Sequence, residues 1–231
     1  MNAEPVGDAG NDRHTGPMRM LLDLILPRTC GGCGAHGDVW CAGCARSLSG
    51  MPMRVRPRTD PGVPCWALGR YSGAGRRAII AVKEHGRRDL ARPLGLALAR
   101  GLDKLRDPRR SLVLIPAPTK RSAARRRGGD PVARVTRLAA SSLPDCRAVP
   151  ALRMHRAVRD SVGLGPRERR ANLHGRITAC ARVLPAALSA ANVEVVLVDD
   201  VLTTGATAGE SVRALAAAGI GVRAVMVTCA A

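Results

Sequence analysis

Three groups of residues in this 231-residue chain have the types and spacing to do chemistry. Cys30-Gly-Gly-Cys33 and Cys41-Ala-Gly-Cys44 are two C-x-x-C pairs separated by seven residues. Four thiolates so spaced can surround a Zn²⁺ ion tetrahedrally, and the intervening glycines let backbone amides turn toward sulfur. The rival readings are a redox pair and a site that has lost its metal. A redox pair would need one C-x-x-C at a helix start after a strand, which the sequence does not offer. His36 lies in the gap, either as a competing ligand or as an exposed turn residue. The second group is Asp199-Asp200, at the end of the apolar run Val195–Val198. The third, Thr203-Thr204-Gly205-Ala206-Thr207, follows at once.

The second and third groups make sense together only if a strand, a tight turn and a helix follow one another. At such a junction the helix N-terminus offers free N–H groups and a partial positive charge to an anion. The threonines add hydroxyls, and Gly205 lets the backbone approach a phosphate closely. Two carboxylates do not favour a bare phosphate. They suit sugar hydroxyls, or a Mg²⁺ held between a sugar and a pyrophosphate. The ligand implied is a phosphorylated ribose. No Walker sequence is present. The plain alternative is an acidic turn with threonine caps.

The elements that must hold these groups can be read from periodicity. Val193–Val198 reads as a buried strand, 206–218 as a helix stopped by Gly219 and Gly221, and 222–228 as a last strand. Earlier, 78–82 and 90–105 read as helical, Leu112–Ile115 as a buried strand, 131–141 as a helix and 146–152 as a strand. Residues 153–176, rich in Arg and Gly, read as a long loop with a short helix. The alternation predicts an α/β domain with a mainly parallel sheet over 64–231. Ahead of it the sequence divides into a polar tail (1–17), the four-cysteine module (18–49), which opens with a short amphipathic helix at 18–26, and a linker (50–63) carrying three Pro and three Arg. Cys65, Cys146, Cys180 and Cys229 read as small core residues.

Composition bounds the rest. Hydrophobic residues are 46% of the chain, enough for a core, and the formal net charge is +19. Such a surplus implies affinity for polyanions. Part of it is background, since only three basic residues are Lys and the others are Arg. No stretch approaches the ~20 apolar residues of a membrane span, so direct membrane insertion is not expected. No secretion signal is evident, and the cysteine clustering suits metal binding in a cytoplasmic protein. Three aromatic residues, Trp40, Trp66 and Tyr71, disfavour modules that stack bases on Phe and Tyr.

The segment VVLVDDVLTTGAT (195–207) closely resembles the signature by which type I phosphoribosyltransferases bind phosphoribosyl pyrophosphate (PRPP). The wider chain, over about 18–231, resembles the competence protein F (ComF) family. The residues that carry this are the four-cysteine knuckle, Tyr71-x-Gly73, Lys83-Glu-His-Gly86, Ile115-Pro-Ala-Pro118 and Arg153…Asp160-Ser-Val-Gly-Leu-Gly…Glu168-Arg-Arg-Ala-Asn172-Leu-x-Gly175. The resemblance implies a type I phosphoribosyltransferase fold with a small N-terminal zinc knuckle. It makes Asp199 and Asp200 the ribose pair and the catalytic candidates, and Thr203, Thr204, Gly205, Ala206 and Thr207 the cradle of the 5′-phosphate. Lys120 and Arg121 would face pyrophosphate. Arg153, Arg156, Arg159, Arg169 and Arg170 are candidates to clamp it from a hood, where His155 is a candidate acid or base. The chain departs from the family at Arg127-Gly-Gly-Asp-Pro131, where Arg-Gly-Phe-Asn-Gln is common, and near Asp160, where a Gln is common.

Two functions follow from the resemblance. One is an enzyme that binds PRPP with Mg²⁺ and transfers phosphoribose to an acceptor. The other is a factor that handles single-stranded DNA during natural transformation, beside a membrane-associated translocase, with the PRPP pocket regulatory or degenerate. The basic runs Arg54–Arg58, Arg76–Arg77, Arg87–Arg88 and Lys120–Arg127 are the candidate tracks for phosphates. A homodimer is compatible with either, and so is a degenerate scaffold stabilised by zinc.

Overall fold

The computed structural model describes residues 28–155, 173–180 and 192–231. The polar tail, the expected helix at 18–26, and Arg156, Asp160, Arg159, Arg169 and Arg170 lie outside them.

The chain alternates strands and helices as its hydrophobic periodicity predicts. In order, the elements are α1 (Ala42–Arg46), β1 (Met53–Val55), β2 (Cys65–Arg70), α2 (Gly73–Glu84), α3 (Ala91–Asp103), β3 (Ser111–Pro116), α4 (Arg121–Arg126), α5 (Pro131–Ala140), β4 (Cys146–Ala148), β5 (Leu152–Met154), β6 (Ile177–Ala179), β7 (Val193–Leu202), α6 (Ala206–Ala216) and β8 (Ala224–Ala230). Six strands form one sheet in the order β1-β2-β8-β7-β3-β4. Only β1 runs antiparallel to its neighbour.

A sheet whose strands are joined by helices is covered on both faces, so its central strands are apolar throughout. The buried residues sort accordingly. Leu112, Leu114, Val196, Val198 and Met226 face α2, α3 and α5. Val113, Ile115, Val195, Leu197 and Val225 face α6 and the small β5–β6 ribbon. The period of two along β3 and β7 divides the sequence between two cores.

Two segments differ from expectation. The linker at 50–63 supplies the edge strand β1, paired with β2 at Met53↔Ala67 and Val55↔Cys65. Residues 146–152 are not one strand. The chain leaves the main sheet after Ala148 and re-enters the ribbon at Leu152, which pairs with Ala179. Pro150 lies between them and cannot donate to a ladder. Among the described residues, no helix is long and apolar enough to cross a membrane.

Candidate functional site

The four cysteines come together. The sulfurs of Cys30, Cys33, Cys41 and Cys44 all lie within 4.8 Å of one another. Local structure accounts for this. Cys30 N–H donates to Ala35 O (2.8 Å), and Gly34 N–H to Cys30 O (2.9 Å). That turn needs Gly34 at φ 81°, a conformation natural to glycine. Cys41 caps α1, and Cys44 lies on that helix. The N–H groups of Gly32 and Cys41 both point at Cys30 Sγ (3.4 Å each). Burial pushes the Cys30 thiol up, but those amides, that of Cys33 and the Cys44 thiol outweigh it and bring it down to about 6. The donor set fits a metal ion that takes four sulfurs. His36 is exposed and lies outside the group.

Of the other cysteines, Cys65 and Cys229 are core residues, Cys146 packs at the core's edge, and Cys180 belongs to neither core. Cys65 and Cys229 are buried, which pushes their thiols up to about 11 and about 12. Cys146 is half-buried and also raised, to about 11. Cys180 is half-buried.

The carboxylate pair sits in β7 rather than beyond it, because the strand continues to Leu202. The β7–β8 register pairs Asp199 with Val227 and Val201 with Cys229 but skips Asp200. Asp200 instead turns its N–H onto Asp199 Oδ1 (2.8 Å). Opposite it, Lys83 in the last turn of α2 places Nζ 2.8 Å from Asp200 Oδ1. Burial, then the charge of Asp200, push the Asp199 carboxyl up to about 8, against the pull of Lys83. Lys83 is itself raised: burial opposes its charge, and the two carboxylates overcome that.

After Leu202 the chain makes the turn the sequence requires. Gly205 has φ 84° and caps α6. A Cβ there would collide with Thr59 O and with Pro57. Thr59 N–H donates to Thr204 O (2.8 Å), so the segment after β1 straps down the turn. Thr204 Oγ1 accepts from Ala206 N–H (3.4 Å). Thr203 is exposed, and Thr207 is half-buried on the first turn of α6. An open cavity of about 400 Å³ lies between Arg56, Arg58, Thr203 and Thr204.

Lys120 and Arg121 follow β3, the strand paired with β7, and so leave the sheet at the same end as the carboxylates. Lys120 is the half-buried cap of α4, and Arg121 is exposed on its first turn. Arg127, just beyond α4, donates through Nε to Lys83 O (2.5 Å) and lies 3.6 Å from Glu84. Arg153 and His155 are exposed at the end of β5, where His155 Nε2 is 3.5 Å from Thr178 Oγ1. On the far side of the 156–172 segment the chain docks on α6. Leu173 packs on Ala206, and Gly175 N–H donates to the buried Glu210 (2.7 Å).

Thr59 stands beside the turn although the sequence did not mark it, whereas Lys83 was marked only within Lys83-Glu-His-Gly86 and Arg56, Arg58 and Arg127 only within basic runs. One signal did point to Lys83: a chain whose basic residues are nearly all Arg keeps a Lys there.

A resident Mg²⁺ gains no such support. Asp200 already holds an ammonium. Among the described residues, the only group of three or more metal-ligating side chains is the cysteine cluster. In sequence comparison no family model and no curated protein matches the chain.

Proposed function

We propose that this chain is a ComF-like protein with a type I phosphoribosyltransferase fold, and that it binds PRPP at the β7–α6 junction. One observation carries the reading: the Asp199-Asp200 pair, held near the end of β7, is followed within five residues of Asp200 by a left-handed glycine that opens a helix N-terminus. Vicinal ribose hydroxyls donate to the carboxylates. The 5′-phosphate accepts from the N–H groups of the turn and from Thr203, Thr204 and Thr207. Lys120 and Arg121 face the pyrophosphate and stabilise charge as it leaves in transfer to an acceptor.

The four cysteines hold structural zinc in this reading. They stiffen the N-terminal segment where it packs on the α/β body.

The test is calorimetric titration of PRPP, with and without Mg²⁺, into the protein and into Asp199→Asn/Asp200→Asn. Saturable binding lost in the variant is expected. A folded, zinc-loaded protein that binds no PRPP would sink the proposal.

A second reading, single-stranded DNA handling, draws on Arg54, Arg56 and Arg58. They are exposed at alternate positions along β1 and the strap that follows it, with no acidic partner among the described residues. Binding to an oligonucleotide should then weaken steeply with salt and fall when all three become Ala.

A further inference from the structure

We infer that Lys83 is the fixed counter-cation of the Asp199–Asp200 pair, occupying one carboxylate oxygen in place of a free divalent ion and leaving the remaining oxygens to accept hydrogen bonds from a vicinal diol. The diol half of this rests on the proposed PRPP reading; the counter-cation half does not.

The geometry carries it. Asp199 Oδ1 is already engaged by Asp200 N–H, and Asp200 Oδ1 by Lys83 Nζ at 2.8 Å. A small divalent ion needs oxygens at about 2.0–2.1 Å in a near-octahedral set. An ion at the remaining carboxylate oxygens would sit beside that ammonium, and like charges would be brought together. The ammonium is held in place. Lys83 O accepts from Arg127, and neighbouring Glu84 pairs with the same guanidinium, so the end of α2 is tied to the chain after α4.

The residue type is also informative. Lysine presents a compact point charge, whereas arginine presents a planar fork that engages both oxygens of a carboxylate. Only three lysines occur in the chain, Lys83, Lys104 and Lys120. A lysine here neutralises one oxygen and leaves the others free for hydroxyl donors.

The scarcity of lysine makes the test direct. Zinc-loaded protein labelled with ¹⁵N-lysine gives three ammonium signals, and the Lys83 signal is identified by its loss in Lys83→Met. Millimolar Mn²⁺ should leave that signal as sharp as the one from Lys104, which bonds Ser49 O and Gly50 O well away from the pair. By calorimetry, Lys83→Met should bind Mn²⁺ at least about tenfold more tightly than wild type. That gain should vanish in Lys83→Met/Asp200→Asn.

Selective broadening of the wild-type Lys83 signal by Mn²⁺, lost in Asp200→Asn, would overturn the inference. So would a folded Lys83→Met with no gain in Mn²⁺ affinity. Should Lys83→Met fail to fold, the wild-type broadening experiment decides, with Lys83→Gln taking over both the signal assignment and the calorimetry. PRPP titration separates the two proposals. A Mn²⁺ gain without PRPP binding keeps the counter-cation and removes the PRPP reading. PRPP binding with a wild-type Mn²⁺ site does the reverse.

Discussion

Lys83 Nζ and Asp200 Oδ1 meet at 2.8 Å although 117 residues of chain separate them. The contact joins the end of α2 to the strand that carries both carboxylates. Lys83 is one-third exposed on its side chain and Asp200 one-fifth, so solvent weakens the pair. Lys83→Met should cost about 1 kcal/mol, and the cost should shrink when Asp200 is already Asn. A double-mutant cycle by denaturant unfolding measures the coupling directly.

Asp199→Asn should stabilise the ligand-free protein while abolishing PRPP binding. The folded-state carboxyl titrates at about 8, against about 3.9 when unfolded. Between those values the native state holds more protons than the unfolded chain, so this residue's contribution falls as pH rises from about 4 to about 8. The Tm difference between variant and wild type should therefore widen from pH 5 to pH 8. A difference that stays flat would mean that Asp199 titrates normally.

Glu210 carries the opposite sign. Burial raises its carboxyl, but the Arg213 guanidinium and the Gly175 amide outweigh that and hold it below the usual range. Its stabilisation is present above the unfolded carboxyl value, about 4.3, and is lost as pH falls through the lower folded one. Glu210→Ala should cost about 2 kcal/mol at pH 7 and progressively less in acid. Hydrogen exchange at Gly175 should accelerate in the variant, because that amide loses its acceptor.

Gly205→Ala tests the turn. The left-handed conformation costs an alanine about 1–2 kcal/mol, and its methyl group would also strike Thr59 O and Pro57. Expected results are a lower Tm and loss of PRPP binding. Normal binding with a normal Tm would show that the turn does not need glycine.

Removing metal from the cysteine cluster should lower Tm and open Cys30 and Cys44 to alkylation, since both are buried in the folded module. For a chain of this size even ~2 kcal/mol lowers Tm by about 4–8 °C. Zinc content per chain and thiol reactivity, followed together during chelation, check this. Well under one zinc per chain in protein purified without chelator would refute the zinc assignment.

How much of this was legible in the sequence depended on range. The cysteine pairs, the β7 run and the α6 start are local patterns, and periodicity or spacing reveals them. Residues 131–141 likewise read as the helix that forms, with Asp130 accepting from Ala133 N–H at its start. The pairing of Lys83 with Asp200 and of Thr59 with Thr204 was not legible, because each partner lies more than a hundred positions away and no local period encodes that. The strap at 56–59 read as linker because proline and arginine dominate it, although its backbone bonds the turn at Thr204. The shift at Asp199 arises from burial and charge set by α2 and β7 together, and neither is visible from Asp-Asp alone.

The helix that carries Lys83 in its last turn also touches the cysteine module. Arg77 of α2 donates to Gly32 O between Cys30 and Cys33, and Arg87, just past the helix, donates to Thr29 O at 2.8 Å. Gly31 abuts Leu90, which is fully buried. The knuckle is thus a footing of the α/β body rather than an appendage. It cannot be excised or exchanged as a cassette without resetting the helix that presents the site's ammonium group.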